Sequence, residues 1–271
     1  MRNKLIFLAL ILCSAAAVSA ADGDLDLSFN GTGFRLTDVA SSSNDVGRDI
    51  FVQPDGKIMV AASCNGRFCA LRYNADGTLD TTFSGDGIAE SSFTAAATAG
   101  GLQADGRVVV AGLLNSTTAA LTRFNSDGTV DTTFGTAGQV TTVFGGTNPN
   151  IRAVLTQSDG KIVVVGTRNL PGPGDLRDIV MARYNLDGSP DTTFDGDGIL
   201  ISNLTPAATE VANDAVLQPD GKIVICGSKA DSIGFSNFLI ARYNSDGSVD
   251  TTFDGDGFVD PDLWPSGNDF A

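Results

Sequence analysis

The chain repeats itself, and that constrains its fold more than any single residue does. One motif, Gln-x-Asp-Gly-(Lys/Arg) followed by an apolar run, occurs at Gln53-Pro54-Asp55-Gly56-Lys57, Gln103-Ala104-Asp105-Gly106-Arg107, Gln157-Ser158-Asp159-Gly160-Lys161 and Gln218-Pro219-Asp220-Gly221-Lys222. A second, Arg-(Tyr/Phe)-Asn-x-Asp-Gly-x-x-Asp-Thr-Thr-Phe, follows each copy, starting at Arg72, Arg123, Arg183 and Arg242. A partial copy, Asp22-Gly23-Asp24-Leu25-Asp26-Leu27-Ser28-Phe29, precedes them. The closing residues Phe29, Phe83, Phe134, Phe194 and Phe253 are 54, 51, 60 and 59 residues apart. A period of this length belongs to stacked units, each of which buries its apolar faces on its neighbours.

Each unit reads as four strands. The first ends at the Gln, as in Asp49-Ile50-Phe51-Val52. In the turn that follows, Pro presets φ and Gly takes positive φ. The second strand, Ile58-Met59-Val60-Ala61 or Ile162-Val163-Val164-Val165, is an unbroken apolar run suited to burial on both faces. The third runs from Phe68 to Tyr73, or from Phe238 to Tyr243. A short fourth, such as Gly198-Ile199-Leu200-Ile201, follows the Asp-Thr-Thr-Phe segment. No segment after residue 20 carries an amphipathic helix. The expected fold is all-β: a β-propeller-like array of four-stranded antiparallel blades, four full repeats plus one partial, as an incomplete ring. A β-sandwich is the alternative, but it needs no fixed period.

Gln-Pro-Asp-Gly-Lys-Ile-Val-Val-x-Gly, followed by Ala-Arg-Tyr-Asn-x-Asp-Gly-Ser-x-Asp-Thr-Thr-Phe, resembles the bacterial delta-60 repeat family of exported β-propeller proteins. The resemblance covers essentially everything after the first 20 residues. The second repeat departs most, with Ala104 and Arg107 in place of Pro and Lys and a low-complexity stretch at 94–101; Pro190 interrupts the turn motif of the third. The resemblance implies a propeller and export, and little about activity.

The expected organisation is a signal peptide at 1–20 and a repeat domain at 21–271. The domain divides into a partial unit 21–39, repeats 40–93, 94–144, 145–203 and 204–262, and the start of a further unit at 263–271. The first three strands occur four times. The fourth occurs five times, starting near Phe34, Ile88, Gly138, Ile199 and Phe258, so any phasing leaves one over. Asn268-Asp269-Phe270-Ala271 resembles the approach to a first strand, as in Asn213-Asp214-Ala215-Val216, which suggests a chain stopping where a fifth unit would begin.

The leader combines Arg2 and Lys4 with an apolar run and a small-residue site, Val18-Ser19-Ala20. Its apolar stretch is too short to span a bilayer. A lipoprotein reading at Cys13 meets bulky Leu12. The expected location is therefore secreted, periplasmic or cell surface, with no membrane insertion after cleavage. Cys64 and Cys69 bracket four residues read as a hairpin tip, which would set them opposite each other, as a disulfide or as two free thiols. Cys226 stands where other units carry Ala61, Ala111 and Val165, and reads as a small buried thiol.

There is no His, which removes Ser-His-Asp and Cys-His nucleophiles and imidazole proton transfer. The formal charge of −15, or −17 once Arg2 and Lys4 are removed, opposes nucleic acid and anionic lipid as partners. Carboxylates remain. The Asn-x-Asp-Gly-x-x-Asp turns (Asn74, Asp76, Asp80 and equivalents) superficially resemble calcium loops, but Arg72 stands where an acid is needed and no closing Glu follows. Turn chemistry explains them better. The Phe-x-Gly-Asp-Gly segments offer weak metal candidates in Asp195, Asp197, Asp254 and Asp256. Two of the five copies lack these acids, and only Gly33, Gly87, Gly138, Gly198 and Gly257 are common to all, which points to backbone geometry. No cofactor is expected, calcium being the one candidate.

Arg72, Arg123, Arg183 and Arg242 recur with Asp80, Asp131, Asp191 and Asp250. A ring of ligand-binding arginines is one reading; a strand-to-turn ion pair that fixes each blade is the preferred one. Function should then sit in what does not repeat: the loops between second and third strands, at 64–68, 113–118, 167–178 and 228–236. The resulting expectation is an exported, non-enzymatic scaffold or binding module for a protein or carbohydrate ligand. A calcium-stabilised surface or adhesion propeller is the alternative, followed by a hydrolase using carboxylates.

Overall fold

The computed structural model describes residues 23–40, 44–171, 176–205, 208–230 and 236–261. The signal peptide expected at 1–20, Asp22, loop residues 172–175 and the unit expected at 263–271 lie outside the described residues. Among the described residues the regular structure is all strand. Sixteen strands form four antiparallel sheets, each of four strands consecutive in the chain.

The first sheet contains β1 (Val46–Val52), β2 (Ile58–Cys64), β3 (Arg67–Tyr73) and β4 (Ile88–Thr94). The second contains β5 (Ala96–Leu102), β6 (Val108–Asn115), β7 (Thr118–Phe124) and β8 (Gln139–Val143). The third contains β9 (Thr147–Thr156), β10 (Ile162–Asn169), β11 (Arg177–Tyr184) and β12 (Ile199–Ser202). The fourth contains β13 (Thr209–Leu217), β14 (Ile223–Ala230), β15 (Ser236–Tyr243) and β16 (Phe258–Val259). The residues near Phe34, expected to start a fifth copy of the last strand, form no strand. The leftover copy is thus a loop, and each sheet is complete without it.

The sheets stack face to face in chain order as an open array of propeller-like blades. β10 shows why its sequence is unbroken. Ile162 and Val164 enter the core shared with the second sheet, Val163 and Val165 enter the core shared with the fourth, and all four are fully buried. At about 1.5–3 kcal/mol per buried aliphatic side chain, this strand contributes strongly to both interfaces. The end sheets show the converse. In β14, Ile223 and Ile225 face the third sheet and are buried, whereas Cys226 is exposed. The buried thiol expected there is therefore corrected: Ala61, Ala111 and Val165 are buried by the next sheet, and nothing among the described residues covers Cys226.

The first strand of each sheet carries a bulge, at Arg48, Thr98, Arg152 and Asn213, which raises local twist at the same level in each unit. The β2–β3 hairpin is tighter than the spacing of its cysteines suggested. Asn65 and Gly66, at φ 51° and 71°, form a two-residue turn. Cys64 then pairs with Arg67 and Ala62 with Cys69, so the cysteines are diagonal rather than opposite. They form a disulfide with Cα atoms 5.8 Å apart.

Candidate functional site

The repeated charges close on one another. Arg183 Nε donates to Asp191 Oδ2 at 2.6 Å, and its Nη2 to Thr193 Oγ1 at 2.8 Å. Its Nη1 donates to the Ser245 carbonyl of the next sheet. Its guanidinium lies 4.9 Å above the centre of the Phe194 ring. Lys161, from the Gln-x-Asp-Gly-Lys turn, reaches Asp191 at 2.8 Å. The other Asp191 oxygen accepts the amide and hydroxyl of Thr193. The same clamp joins Arg72, Lys57 and Thr82 around Asp80 over Phe83, with Arg72 Nη1 on the Ser126 carbonyl at 2.6 Å. It joins Arg242, Lys222 and Thr252 around Asp250 over Phe253. The second unit is looser. Arg107 replaces Lys and approaches Asp131 only to 3.6 Å, and Arg123 Nη1 is buried without a partner.

These aspartates lie below the usual carboxylate range. For Asp80, Asp131 and Asp191 burial pushes upward but is outweighed by the surrounding donors, chiefly Lys57 and Thr82, Thr133, and Lys161 and Thr193. For Asp250 the leading cause is Lys222. The strand-to-turn ion pair thus holds in all four units. Arg72, Arg123 and Arg183 are less than a tenth exposed, although Arg72 still borders the cleft at the Gln-x-Asp-Gly edge. Sequence spacing did not show that the motif Lys joins the pair in the first, third and fourth units.

A second joint links successive units. The residue after each closing Phe donates its amide to the carbonyl of the Asp in the next Asn-x-Asp-Gly turn: Asn30 to Asp76, Ser84 to Asp127, Gly135 to Asp187 and Asp195 to Asp246. The Phe194 ring lies 3.0 Å from where a Cβ on Gly247 would sit, and Phe29 is as close to Gly77. The lead-in therefore docks on the first sheet as each unit docks on its successor, although it forms no strand. Pro190 makes the same bridge with Tyr184 that Leu79, Val130 and Val249 make in their units, so it does not interrupt the turn.

The metal candidates sit in turns. Asp197 Oδ1 accepts the Ile199 amide at 2.8 Å and Asp256 Oδ1 the Phe258 amide at 3.2 Å. Asp195 and Asp254 occupy the left-handed region at φ 50° and 52°. Burial, followed by the charges of Asp197 and Asp246, pushes the Asp195 carboxyl up. The five common glycines take φ between +80° and +98°. In the Asn-x-Asp-Gly turns, Asp76, Asp127, Asp187 and Asp246 accept the amide and hydroxyl of the Thr or Ser two residues on. Among the described residues, no three His, Cys, Asp or Glu side chains converge as a metal site.

Clefts of about 730 and 530 Å³ lie at the Gln-x-Asp-Gly edge, lined by Gln53, Asp55, Gln103 and Asp105, and by Gln157, Asp159, Gln218 and Asp220. These are the repeated turn residues. The opposite edge carries what does not repeat. Arg168 pairs with Asp178 at 2.9 Å and donates to the Phe144 carbonyl. Glu210, almost fully buried, accepts the amides of Leu204 at 3.1 Å and Thr205 at 2.7 Å. Burial first, with Asp178 adding to it, pushes its carboxyl up. Sequence reasoning found no non-repeated acid pair; Asp178 and Glu210 come from different sheets, and only the stack brings them near. Lys229 pairs with Asp260 at 2.6 Å over the Phe258 ring.

Comparison with family models matches "Domain of unknown function (DUF5122) beta-propeller" at residues 53–83, 103–134, 157–194 and 218–253, together half of the chain. Comparison with curated proteins returns no match. Among solved structures, an ulvan lyase of polysaccharide lyase family PL25 aligns at TM-score 0.48 and 9% identity, over 79% of this chain and 54% of that one. This chain thus spans about half the length of that enzyme. An α-L-arabinanase of Cellvibrio cellulosa aligns at 0.40 and 14% identity, covering 75% of this chain and 76% of that one. An endo-arabinanase of Bacillus licheniformis aligns at 0.39 and 16%, covering 74% of each. At these scores the likenesses indicate no shared activity.

Proposed function

Because the chain belongs to the DUF5122 β-propeller family, we propose that it is a binding module rather than an enzyme, exported by its leader and of the delta-60 kind, which engages its ligand at the loop edge. One observation carries this reading: the acids and bases that recur in every unit are consumed in clamps and turns, and the side chains that differ between units gather at the opposite edge. The export part is supported by Arg2, Lys4 and the small-residue site at Val18-Ser19-Ala20.

The purified chain would be assayed against a panel of ester, glycoside and polysaccharide substrates, and for retention on the same polysaccharides. Retention without turnover supports the module. The buried acids Asp178 and Glu210 are the groups an enzyme would draw on, so turnover abolished by Asp178→Asn or Glu210→Gln overturns it.

A further inference from the structure

A recess of about 210 Å³ opens at the loop edge between the third and fourth sheets, lined by Asn148, Asn150, Arg152, Thr167, Asn169 and Arg177. Its chemistry runs against the rest of the molecule. The chain has a net charge of −15, yet no carboxylate is among the lining residues. Arg168 nearby is committed to Asp178 and the Phe144 carbonyl. The side chains of Arg152 and Arg177 make no hydrogen bond or ion pair among the described residues.

The fold positions these groups. The β9 bulge falls at Arg152; Asn150 pairs with Thr167, and Asn169 with Arg177 across the β10–β11 hairpin. Asn148, at φ 50°, is anchored through its amide to the Ser116 carbonyl at 2.7 Å. Thr167 Oγ1 accepts the Ala212 amide at 3.0 Å, so its hydroxyl is already oriented. Other units lack the combination. Asn150 is matched by Val46, Ala96 and Val211 in the strand registers. In the same register Asn169 falls on Asn65, Asn115 and Ala230, and Arg177 on Gly66, Thr117 and Ser236. The first sheet keeps Arg48 at the Arg152 position but has Gly66 in place of Arg177; its Arg67 stands at the Asp178 position.

Guanidinium forks match a carboxylate in two-point contact. Primary amides both donate and accept, which suits sugar hydroxyls. The volume is below the ~300–1,000 Å³ of drug-sized sites and holds about seven water volumes, the scale of one sugar ring. The molecule's negative field is screened beyond ~8 Å at physiological salt, so local positive groups decide binding here. We propose that this recess binds the carboxylate of a sugar acid, with Arg152 and Arg177 gripping the carboxylate and Asn148, Asn150 and Asn169 reading the adjacent hydroxyls. The proposal rests on the reading of the loop edge as a binding surface.

The full chain would be titrated with galacturonate and digalacturonate, by calorimetry and ligand-observed NMR, with galactose and sulfate as comparisons. Saturable binding of the acids is expected, at least about tenfold tighter than of galactose, and weakened about tenfold by Arg152→Ala and by Arg177→Ala. Neither arginine's side chain makes a hydrogen bond or ion pair within the described fold, so both variants should melt as the parent does. Arg48→Ala should leave affinity unchanged. Absence of saturable binding, equal affinity for galactose, or indifference to both variants overturns the proposal; sulfate binding as tightly as galacturonate overturns the sugar assignment. Turnover in the substrate panel would sink the binding-module reading and leave the recess, whereas loss of galacturonate binding would sink the recess and leave the reading.

Discussion

Asp191 receives four donors, from Arg183, Lys161 and the amide and hydroxyl of Thr193, while only 3% exposed. Removing it as Asp191→Ala leaves Arg183 buried without a counter-charge and should cost about 3 kcal/mol in a urea titration. The pH dependence has a definite sign. Asp80, Asp131, Asp191 and Asp250 are all held below their usual range, so their contribution is whole above the unfolded value of about 3.9 and is lost as pH falls below it. Asp49, Asp195 and Glu210 are pushed upward, chiefly by burial, and act oppositely. The turn aspartates Asp26, Asp76, Asp127, Asp187 and Asp246 are lowered as well, so the lowered carboxylates outnumber the raised ones and the urea midpoint should fall as pH drops below about 4. The Arg–Asp pair was legible in the sequence because its members recur eight residues apart; Lys57 and Asp80 are 23 apart, and only strand pairing joins them. The acids of the Phe-x-Gly-Asp-Gly segments were legible as turn formers but not in their contacts. Asp197 and Asp256 are engaged by backbone amides, so melting curves in calcium and in chelator should coincide; a rise with calcium would revive Asp195, Asp197, Asp254 or Asp256 as ligands.

At the scale of elements, the joint sets a ring against a glycine at Gly77, Gly188 and Gly247. Gly247 has φ +92° and the Phe194 ring 3.0 Å from its missing Cβ, so Gly247→Ala meets both strain and a clash and should destabilise by about 2 kcal/mol. Phe29→Ala should free the lead-in, seen as faster proteolysis within 23–40 with the sheets intact. The turns and second strands were readable, because Pro, Gly and unbroken apolar runs carry their own local physics. The bulges were not, since one extra residue leaves no mark on an apolar pattern. Cys226 was misread for a related reason: its burial depends on a neighbouring sheet, not on its own strand. A thiol reagent should label Cys226 in the folded protein, and Cys64 and Cys69 only after reduction.

Across the whole molecule, the second and third sheets are covered on both faces, and the fourth exposes Val216, Cys226 and Ile240 on one. Amide hydrogen exchange should therefore be slowest in β6 and β10 and faster in β14 and β15. The period made the stack legible. It said nothing of the recess, whose arginines and amides lie on three strands, β9, β10 and β11, in a combination no other unit repeats. The joint itself has an evolutionary consequence. Its backbone bond from amide to carbonyl is the same at every junction, and a phenyl ring rests against the turn glycine at Gly77, Gly188 and Gly247. Excision of 84–134 brings Phe83 directly before Gly135, whose amide already meets Asp187. Recombination between gene copies at such points would change the number of units while leaving every seam matched, so copy number can vary by accident of replication while each unit's loop edge diversifies on its own.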